Sequence, residues 1–190
     1  MLKIYHFFRL IRFANLMVIG LTMGVIEFFL LKYDSFEEGH TDILSLTQFP
    51  DSSEYFYLLV ISTLLIGAAG NIINDYFDVK ADRINKPKRL IIDKYIKRRW
   101  AMVMHWSFNG LGFLIALYLG YVLQNIWVPL IAFVSINMLW FYSVYFKRKA
   151  LLGNLMVSLL LGIVPIYVFL FNLEIEFENN SGNYILSVVC

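Results

Sequence analysis

One short segment of the sequence gathers four side chains that could bind a metal ion: Asn74, Asp75, Asp78 and Asp82, together called the acidic stripe below. They follow an apolar run, where carboxylates are costly unless a cation compensates their charge. On a helix that advances about 100° per residue, Asn74, Asp78 and Asp82 lie one turn apart on one face, and Asp75 falls nearly in line with Asp82. Such a set of oxygen ligands suits Mg²⁺ or Ca²⁺.

Basic residues follow the stripe at once, namely Lys80, Arg83, Lys86, Lys88 and Arg89. Carboxylates that hold a cation, with Lys and Arg around them, are typical of a site for a diphosphate. The simpler interpretation is a helix end whose acidic residues pair with nearby Lys and Arg. That interpretation suits one or two carboxylates, but explains less well four oxygen ligands within nine positions.

The composition indicates a membrane protein with several spans. Of 190 residues, 59% are hydrophobic and only 16% are charged, whereas a soluble domain of this length would be more polar. The single cysteine, Cys190, excludes an internal disulfide framework and a Cys-based metal site. A net charge of +2 is too small to suggest nucleic acid as a partner.

Five apolar runs are long enough to cross about 30 Å of hydrocarbon. They are Phe13 to Leu31, Tyr55 to Ile73, Trp100 to Leu123, Ile126 to Phe146 and Leu151 to Phe171. A sixth run opens at Tyr184 and is too short to cross. The expected fold is therefore an all-α helical bundle of five transmembrane helices plus the start of a sixth, in one domain over residues 1–190. Glu27, near the outer end of the first span, is expected to reach the lipid headgroups.

The charges predict how the chain is oriented. Of the 16 Lys and Arg residues, all but Lys32 fall on one side of the five-span arrangement, and most acidic residues outside the stripe fall on the other. The positive-inside rule then predicts that the N-terminus and the acidic stripe face the cytoplasm, in a multi-pass protein of the cell (inner) membrane. The small residues Gly67 to Gly70, just before the stripe, could let neighbouring helices approach it closely.

The stripe resembles the first aspartate-rich motif of the UbiA-type prenyltransferase superfamily, Asn-Asp-x-x-Asp-x-x-x-Asp, which here runs from Asn74 to Asp82. The continuation from Arg83 to Arg89 is also similar to this family, as is the segment from Tyr142 to Arg148. Within the family, the sequence looks most like bacterial members described as geranylgeranylglycerol-phosphate geranylgeranyltransferases.

The resemblance implies an intramembrane enzyme that moves a polyprenyl group from a Mg²⁺-bound polyprenyl diphosphate to an acceptor, either a glycerol-phosphate prenyl ether or an aromatic quinone precursor. Asn74, Asp78 and Asp82 would hold the metal, and Asp75 would be a neighbour or second ligand. With Asn74, the residues implied to contact the diphosphate are Arg83, Lys86, Arg89 and Lys147. Diphosphate leaves an allylic carbon only when its developing charge is neutralised, which Mg²⁺ and fixed cations can do.

The family also has a second aspartate-rich motif, on a cytoplasmic loop after its sixth helix, and about nine helices. Neither is present in these 190 residues, so the chain is expected to be the N-terminal part of a longer protein and to be inactive alone. The alternative is an inactive or regulatory membrane subunit that keeps only the first cation site. A CDP-alcohol phosphotransferase is disfavoured, because its Asp-Gly and Ala-Arg steps do not occur here.

Overall fold

A computed structural model of the chain describes the backbone of residues 2–37, 50–85, 87 and 90–188, and side chains within 4–29, 54–85, 87, 90–147, 149 and 151–172. Six α-helices follow one another: α1 (Leu2–Leu10), α2 (Phe13–Glu37), α3 (Pro50–Asn85), α4 (Arg98–Val122), α5 (Trp127–Val144) and α6 (Ala150–Val188). A single 3₁₀ turn, Phe146–Arg148, joins the last two. The one β-type contact in the described backbone pairs Ile92 with Ile96.

The helices agree with the five predicted spans. Within the described residues, α3, α4, α5 and α6 are each long and apolar enough to cross a membrane, and α1 with α2 gives a fifth span if this bent pair is counted as one. The axes of α1 and α2 differ by 56° across the break at residues 11 and 12. Arg12 adopts φ 53° at this break, in the left-handed region that side chains other than glycine rarely occupy.

Helix α3 is the central element, since it packs against α1, α2, α4 and α5. Its 36 residues extend over about 54 Å, well beyond the thickness of the hydrocarbon core. The helix therefore continues for three turns past the apolar run that ends at Ile73. The acidic stripe lies on this continuation, so the prediction of a helix through Asn74, Asp78 and Asp82 is confirmed.

Small residues bring the neighbouring helices close to α3 just before the stripe. A Cβ atom placed on Gly70 would lie 2.8 Å from Cδ2 of Leu139 on α5, and one placed on Gly67 would lie 3.2 Å from Cδ2 of Leu16 on α2. Ala68 and Ala69 between them are buried. The packing expected for this stretch is present, and it brings α2 and α5 to the two sides of the stripe.

The end of the chain differs from the prediction. A break was expected between the fifth span and a sixth helix starting at Tyr184, but α6 continues as one helix to Val188. The intervening residues 172–183 include one Leu and three Glu, which favour a helix, but also four Asn, one Ser and one Gly, so intrinsic helix propensity does not account for the continuation. Pro165 lies inside this helix.

Two apolar clusters form the core. One lies within the spans and contains Met23, Leu59, Leu119, Val168 and Phe171, among others. The second cluster lies beside the acidic stripe, where Leu10 and Ile11 meet Ile72 and Val79 of α3 and the loop residues Ile91 and Ile92. This second cluster fixes α1 and the loop between α3 and α4 against the end of α3 that carries the stripe.

Candidate functional site

Lys147 joins two residues of the acidic stripe. The 3₁₀ turn after α5 carries this side chain back toward α3, where its Nζ donates to Asn74 Oδ1 at 2.7 Å and to Asp78 Oδ2 in a short ion pair. The side chains of Lys147 and Asp78 are 28% and 25% exposed, so the pair is largely shielded from solvent. Asn74 and Asp78, which lie 73 and 69 positions before Lys147 in sequence, thus meet at its ammonium group, and the contact with diphosphate that the resemblance implies for Lys147 stays a prediction.

Arg12 contacts the stripe from the other side. Its Nη2 donates to Asp75 Oδ1 at 2.9 Å, and the Asp75 side chain is 25% exposed. The arginine is held by the break between α1 and α2, where its own carbonyl accepts from the N–H groups of Asn15 and Leu16. Asn71, one turn before the stripe, donates to the carbonyl of Ile11 at 2.9 Å and fixes the same break.

The other residues predicted to bind metal or diphosphate do not all lie beside Lys147 and Arg12. Asp82 is half-buried and forms no ion pair with another side chain that the structure describes. Arg83 is directed at the loop, where its Nη2 lies 3.1 Å from Asp93 Oδ2. Lys86 and Arg89 lie outside the described residues, so their predicted contacts with diphosphate stay predictions.

The side chains of the acidic stripe offer carboxylate and amide oxygens, which are the ligand atoms that Mg²⁺ and Ca²⁺ prefer. The amide oxygen of Asn74 and a carboxylate oxygen of Asp78 already converge on a positive charge, the Lys147 ammonium. Among the residues whose side chains are described, no three His, Cys, Asp or Glu side chains form a metal-binding group. The convergent pair therefore provides part of a ligand set, and Asp82, one helical turn further, would extend it.

A cavity of about 540 Å³ opens beside the stripe between α2, α3, α5 and α6. Its polar end is formed by Arg12, Asn15, Asn71, Asn74 and Tyr142. This volume lies in the range of cavities that hold small-molecule ligands and cofactors. The polar end and the Lys147 ion pair share Asn74, so the cavity and the cation-binding residues form one site.

Away from that end the cavity is apolar. Most of its remaining lining is aliphatic, including Val18, Ile66, Leu139, Leu160, Leu161 and Val164, and Tyr167 lies toward the far end. The Tyr167 hydroxyl donates to the carbonyl of Val128 at 3.1 Å. A ligand with a charged head and a long hydrocarbon tail matches this distribution of polar and apolar surface.

Sequence reasoning missed Arg12, Asn71 and Tyr142 as parts of the site. Arg12 is one of the 16 basic residues whose distribution predicts the orientation, but its position next to the first span gives no indication of a partner 63 residues away. Asn71 had a usable signal, since it lies three residues before Asn74 and extends the polar face by one turn. Tyr142 was recognised only through the resemblance of its segment to the family.

Comparison with known proteins agrees with the family resemblance. The model of the UbiA prenyltransferase family matches residues 43–186, well over half of the chain. A solved structure from work on digeranylgeranylglyceryl phosphate synthase in membranes superimposes with a TM-score of 0.70 at 27% identity, over 90% of this chain and 54% of that one.

Curated relatives carry the same name. The digeranylgeranylglyceryl phosphate synthase of Methanococcus maripaludis is 34% identical over 60% of this chain, and that of Metallosphaera sedula is 38% identical over 53%. These relatives are archaeal, whereas the sequence had suggested bacterial members. The matched segments span 42% and 34% of the two relatives, so less than half of each relative is matched by this chain.

Three observations lead to one assignment. The helices are apolar, the family model matches most of the sequence, and a solved structure has the same arrangement of helices. The chain is a multi-pass membrane protein that belongs to the UbiA prenyltransferase family.

Proposed function

We propose that this chain forms the prenyl diphosphate-binding part of an intramembrane prenyltransferase. The observation that carries the proposal is the cavity of about 540 Å³, which is apolar along most of its length and ends at Asn74, next to the cationic Lys147 and Arg12. A polyprenyl tail would occupy the apolar part, and its diphosphate would lie at the polar end. Residues 1–190 would belong to a single transmembrane domain.

Mg²⁺ is the metal that suits this site, with Asn74, Asp78 and Asp82 as ligands and Asp75 as a neighbour or second ligand. When bound, the ion would neutralise charge that develops on the departing diphosphate. Lys147 would give up Asn74 and Asp78 and turn its ammonium to a diphosphate oxygen, which its flexible stem permits. Arg83, Lys86 and Arg89 would approach the same diphosphate from the end of α3 and the loop after it.

The chain's own residues would also exclude water from the reacting carbon. An allylic cation formed by departure of diphosphate is quenched by water, and the aliphatic walls near Leu139 and Val164 keep the cavity dry. The bond from the allylic carbon to the diphosphate oxygen would break with its electron pair moving to the diphosphate. The acceptor oxygen or ring carbon would then form the new bond and release a proton.

A glycerol-phosphate prenyl ether is the acceptor that the names of the relatives favour, since those from Methanococcus maripaludis and Metallosphaera sedula are both digeranylgeranylglyceryl phosphate synthases. An aromatic quinone precursor is the other acceptor class considered for this family. We place the stripe and the N-terminus on the cytoplasmic side of the cell membrane, because Lys and Arg concentrate there.

The test uses membranes that contain the full-length protein, radiolabelled geranylgeranyl diphosphate, and either a geranylgeranylglycerol phosphate or an aromatic acceptor. We expect Mg²⁺-dependent transfer to the glycerol-phosphate acceptor, abolished by EDTA and restored by added Mg²⁺. Isothermal titration with a non-hydrolysable prenyl diphosphate analogue reports binding separately from turnover. Absence of analogue binding with Mg²⁺ present would contradict the proposal.

One observation favours the alternative of an inactive or regulatory subunit. Asp75 and Asp78 are each already paired with a protein cation, Arg12 and Lys147, which is what a purely structural set of carboxylates would show. The transfer assay, read beside the titration, separates the two functions. A catalytic site binds the analogue with Mg²⁺ and turns over, whereas a subunit of this kind gives no product even when an acceptor is supplied.

A further inference from the structure

Helix α1 has apolar side chains on two faces, and only one face is covered by the protein. His6, Leu10 and Ile11 are 6%, 0% and 7% exposed and pack inward. Ile4 and Tyr5 are each 63% exposed and Phe8 is 44% exposed on the outer face. Positions 4, 5 and 8 lie on one side of a helix, so these three side chains form a continuous apolar surface, called the outer face of α1 below.

The inner face places α1 at the level of the loop between α3 and α4. The His6 ring stacks on the Tyr95 ring with centroids 3.6 Å apart. Leu10 and Ile11 belong to the same apolar cluster as the loop residues Ile91 and Ile92. Since this loop follows the end of α3 that carries the acidic stripe, α1 lies at that end of the bundle and not between the spans.

The outer face of α1 continues the lipid-facing surface of α2. Phe8 contacts Phe13 across the helix break with ring centroids 5.1 Å apart, and Phe13 is 46% exposed. Leu21, two turns further along the spanning part of α2, is 65% exposed. The axis of α1 is bent by 56° from that of α2, so if α2 runs along the membrane normal, α1 is inclined to the normal by the same angle.

We propose that α1 is an interfacial helix that lies in the headgroup region of the leaflet next to the acidic stripe. The outer face of α1 contacts the lipid bilayer, with Ile4, Tyr5 and Phe8 at the boundary of the acyl chains. Aromatic residues favour this depth because their rings are apolar while Tyr keeps a polar hydroxyl. Arg9 is exposed beside the outer face and suits anionic lipid headgroups.

This placement has a direct connection to the site. Directly after α1, the carbonyl of Ile11 accepts from Asn71, and one residue further the guanidinium of Arg12 binds Asp75. Both contacts lie at the polar end of the cavity. Contact of α1 with lipid therefore fixes the segment that presents Arg12 to the stripe.

Site-directed spin labelling tests the placement without reference to turnover. In a background in which Cys190 and any further cysteine of the full-length protein are replaced by Ser, the single variants Ile4→Cys, Tyr5→Cys and Phe8→Cys are labelled and reconstituted in phosphatidylcholine and phosphatidylglycerol vesicles. Collision with oxygen and with a water-soluble nickel chelate is measured by power saturation. Leu21→Cys is the control for lipid exposure, and Lys97→Cys, in the loop before α4, is the control for water exposure.

We expect the labels at positions 4, 5 and 8 to collide with oxygen several-fold more than the Lys97 label, and with nickel several-fold less. Four residues rise about 6 Å along a helix axis. In a helix inclined by 56° to the membrane normal, the labels at positions 4 and 8 would differ in depth by about 3 Å. In a helix that spans the membrane along the normal, they would differ by about 6 Å. The proposal is overturned if the labels at positions 4, 5 and 8 collide with oxygen and nickel as often as the Lys97 label does. It is also overturned if labels 4 and 8 differ in depth by the full rise of about 6 Å. Low collision with both reagents also overturns it, since it means that protein covers this face.

A label at Arg9 provides the second measurement, because Arg9→Cys removes no apolar contact. We expect intermediate accessibility to both reagents there, as at the level of headgroups. A label at Arg9 that matches the Leu21 label would contradict an interfacial position.

Discussion

Arg12 and Asp75 are 63 positions apart in sequence, and their side chains meet with Nη2 2.9 Å from Oδ1. The contact joins the break between α1 and α2 to the acidic stripe on α3. Asp75 and Asp78 are thereby each matched with one cation, Asp75 with Arg12 and Asp78 with Lys147. The first predictions concern what happens when either partner is removed.

Asp78→Ala should lower the rate of prenyl transfer by at least about a hundredfold, because it removes a proposed metal ligand and leaves Lys147 without its carboxylate. Initial rates with saturating prenyl diphosphate provide the measurement. Glu54→Ala is the control, since Glu54 is an exposed carboxylate at the opposite end of α3. A rate within twofold of wild type for Asp78→Ala would refute the metal assignment.

Lys147→Gln should raise the KM for prenyl diphosphate about tenfold or more, because a proposed charged contact with the diphosphate is replaced by a neutral one. Steady-state kinetics at several substrate concentrations separate this effect from a change in kcat. Lys149→Gln changes a neighbouring exposed lysine and should leave both constants within twofold. Equal effects of the two substitutions would show that only the local positive charge matters.

Arg12→Gln should weaken binding of the prenyl diphosphate analogue by about three- to tenfold, since Asp75 loses its cation and repels the anionic ligand more strongly. Titration calorimetry with Mg²⁺ present measures this loss. Arg9→Gln removes an equal charge from the exposed side of α1 and should have a much smaller effect. The ion pair would be irrelevant to the site if both variants bound the analogue like wild type.

Gly70→Ala should destabilise the protein by about 1–3 kcal/mol or reduce the cavity, because its Cβ would lie 2.8 Å from Leu139 Cδ2. Thermal unfolding in detergent, together with analogue binding, measures both consequences. The double variant Gly70→Ala with Leu139→Ala should recover part of the loss. Gly24→Ala is the control, because a Cβ there has no neighbour within 4 Å, and it should keep or slightly raise stability.

Glu27→Ala should cost about 1–3 kcal/mol of stability, because Glu27 is 8% exposed and accepts from Asn172 Nδ2 at 2.6 Å. Glu27→Gln keeps an acceptor oxygen of the same size and should be much better tolerated. Thermal unfolding compares the two variants directly. The contact joins α2 to α6, and similar losses from both substitutions would mean that charge rather than the hydrogen bond matters there.

Local sequence patterns were sufficient for the five spans and for the face that carries Asn74, Asp78 and Asp82, but not for α1 or for the continuation of α6 to Val188. The spans follow from the lengths of the apolar runs, and the face follows from a spacing of four residues. Neither pattern requires knowledge of distant segments. The partner of Asp75 could not be found in this way, because it depends on the bend at Arg12 and its unusual backbone angle of φ 53°.

For Glu27, the sequence predicted the wrong environment. Its position near the end of a span predicted contact with headgroups, and the structure instead buries it against Asn172 of α6. Which helix lies beside α2 is a property of the whole bundle. A carboxyl group near a span end can reach water or a neighbouring amide, and only the packing of α6 decides between them.

The cavity has its guanidinium and side-chain amide groups at one end, formed by Arg12, Asn15, Asn71 and Asn74, whereas Thr63, Ser135 and Tyr167 bring only hydroxyl groups to the rest of its lining. The ionic portion of an amphiphile is therefore favoured at that end, and the reverse orientation would strand it among mostly aliphatic walls. If prenyl transfer takes place there, donor and product would both exchange with the same monolayer. Newly made lipid would then accumulate on that side of the membrane until a separate flippase redistributes it.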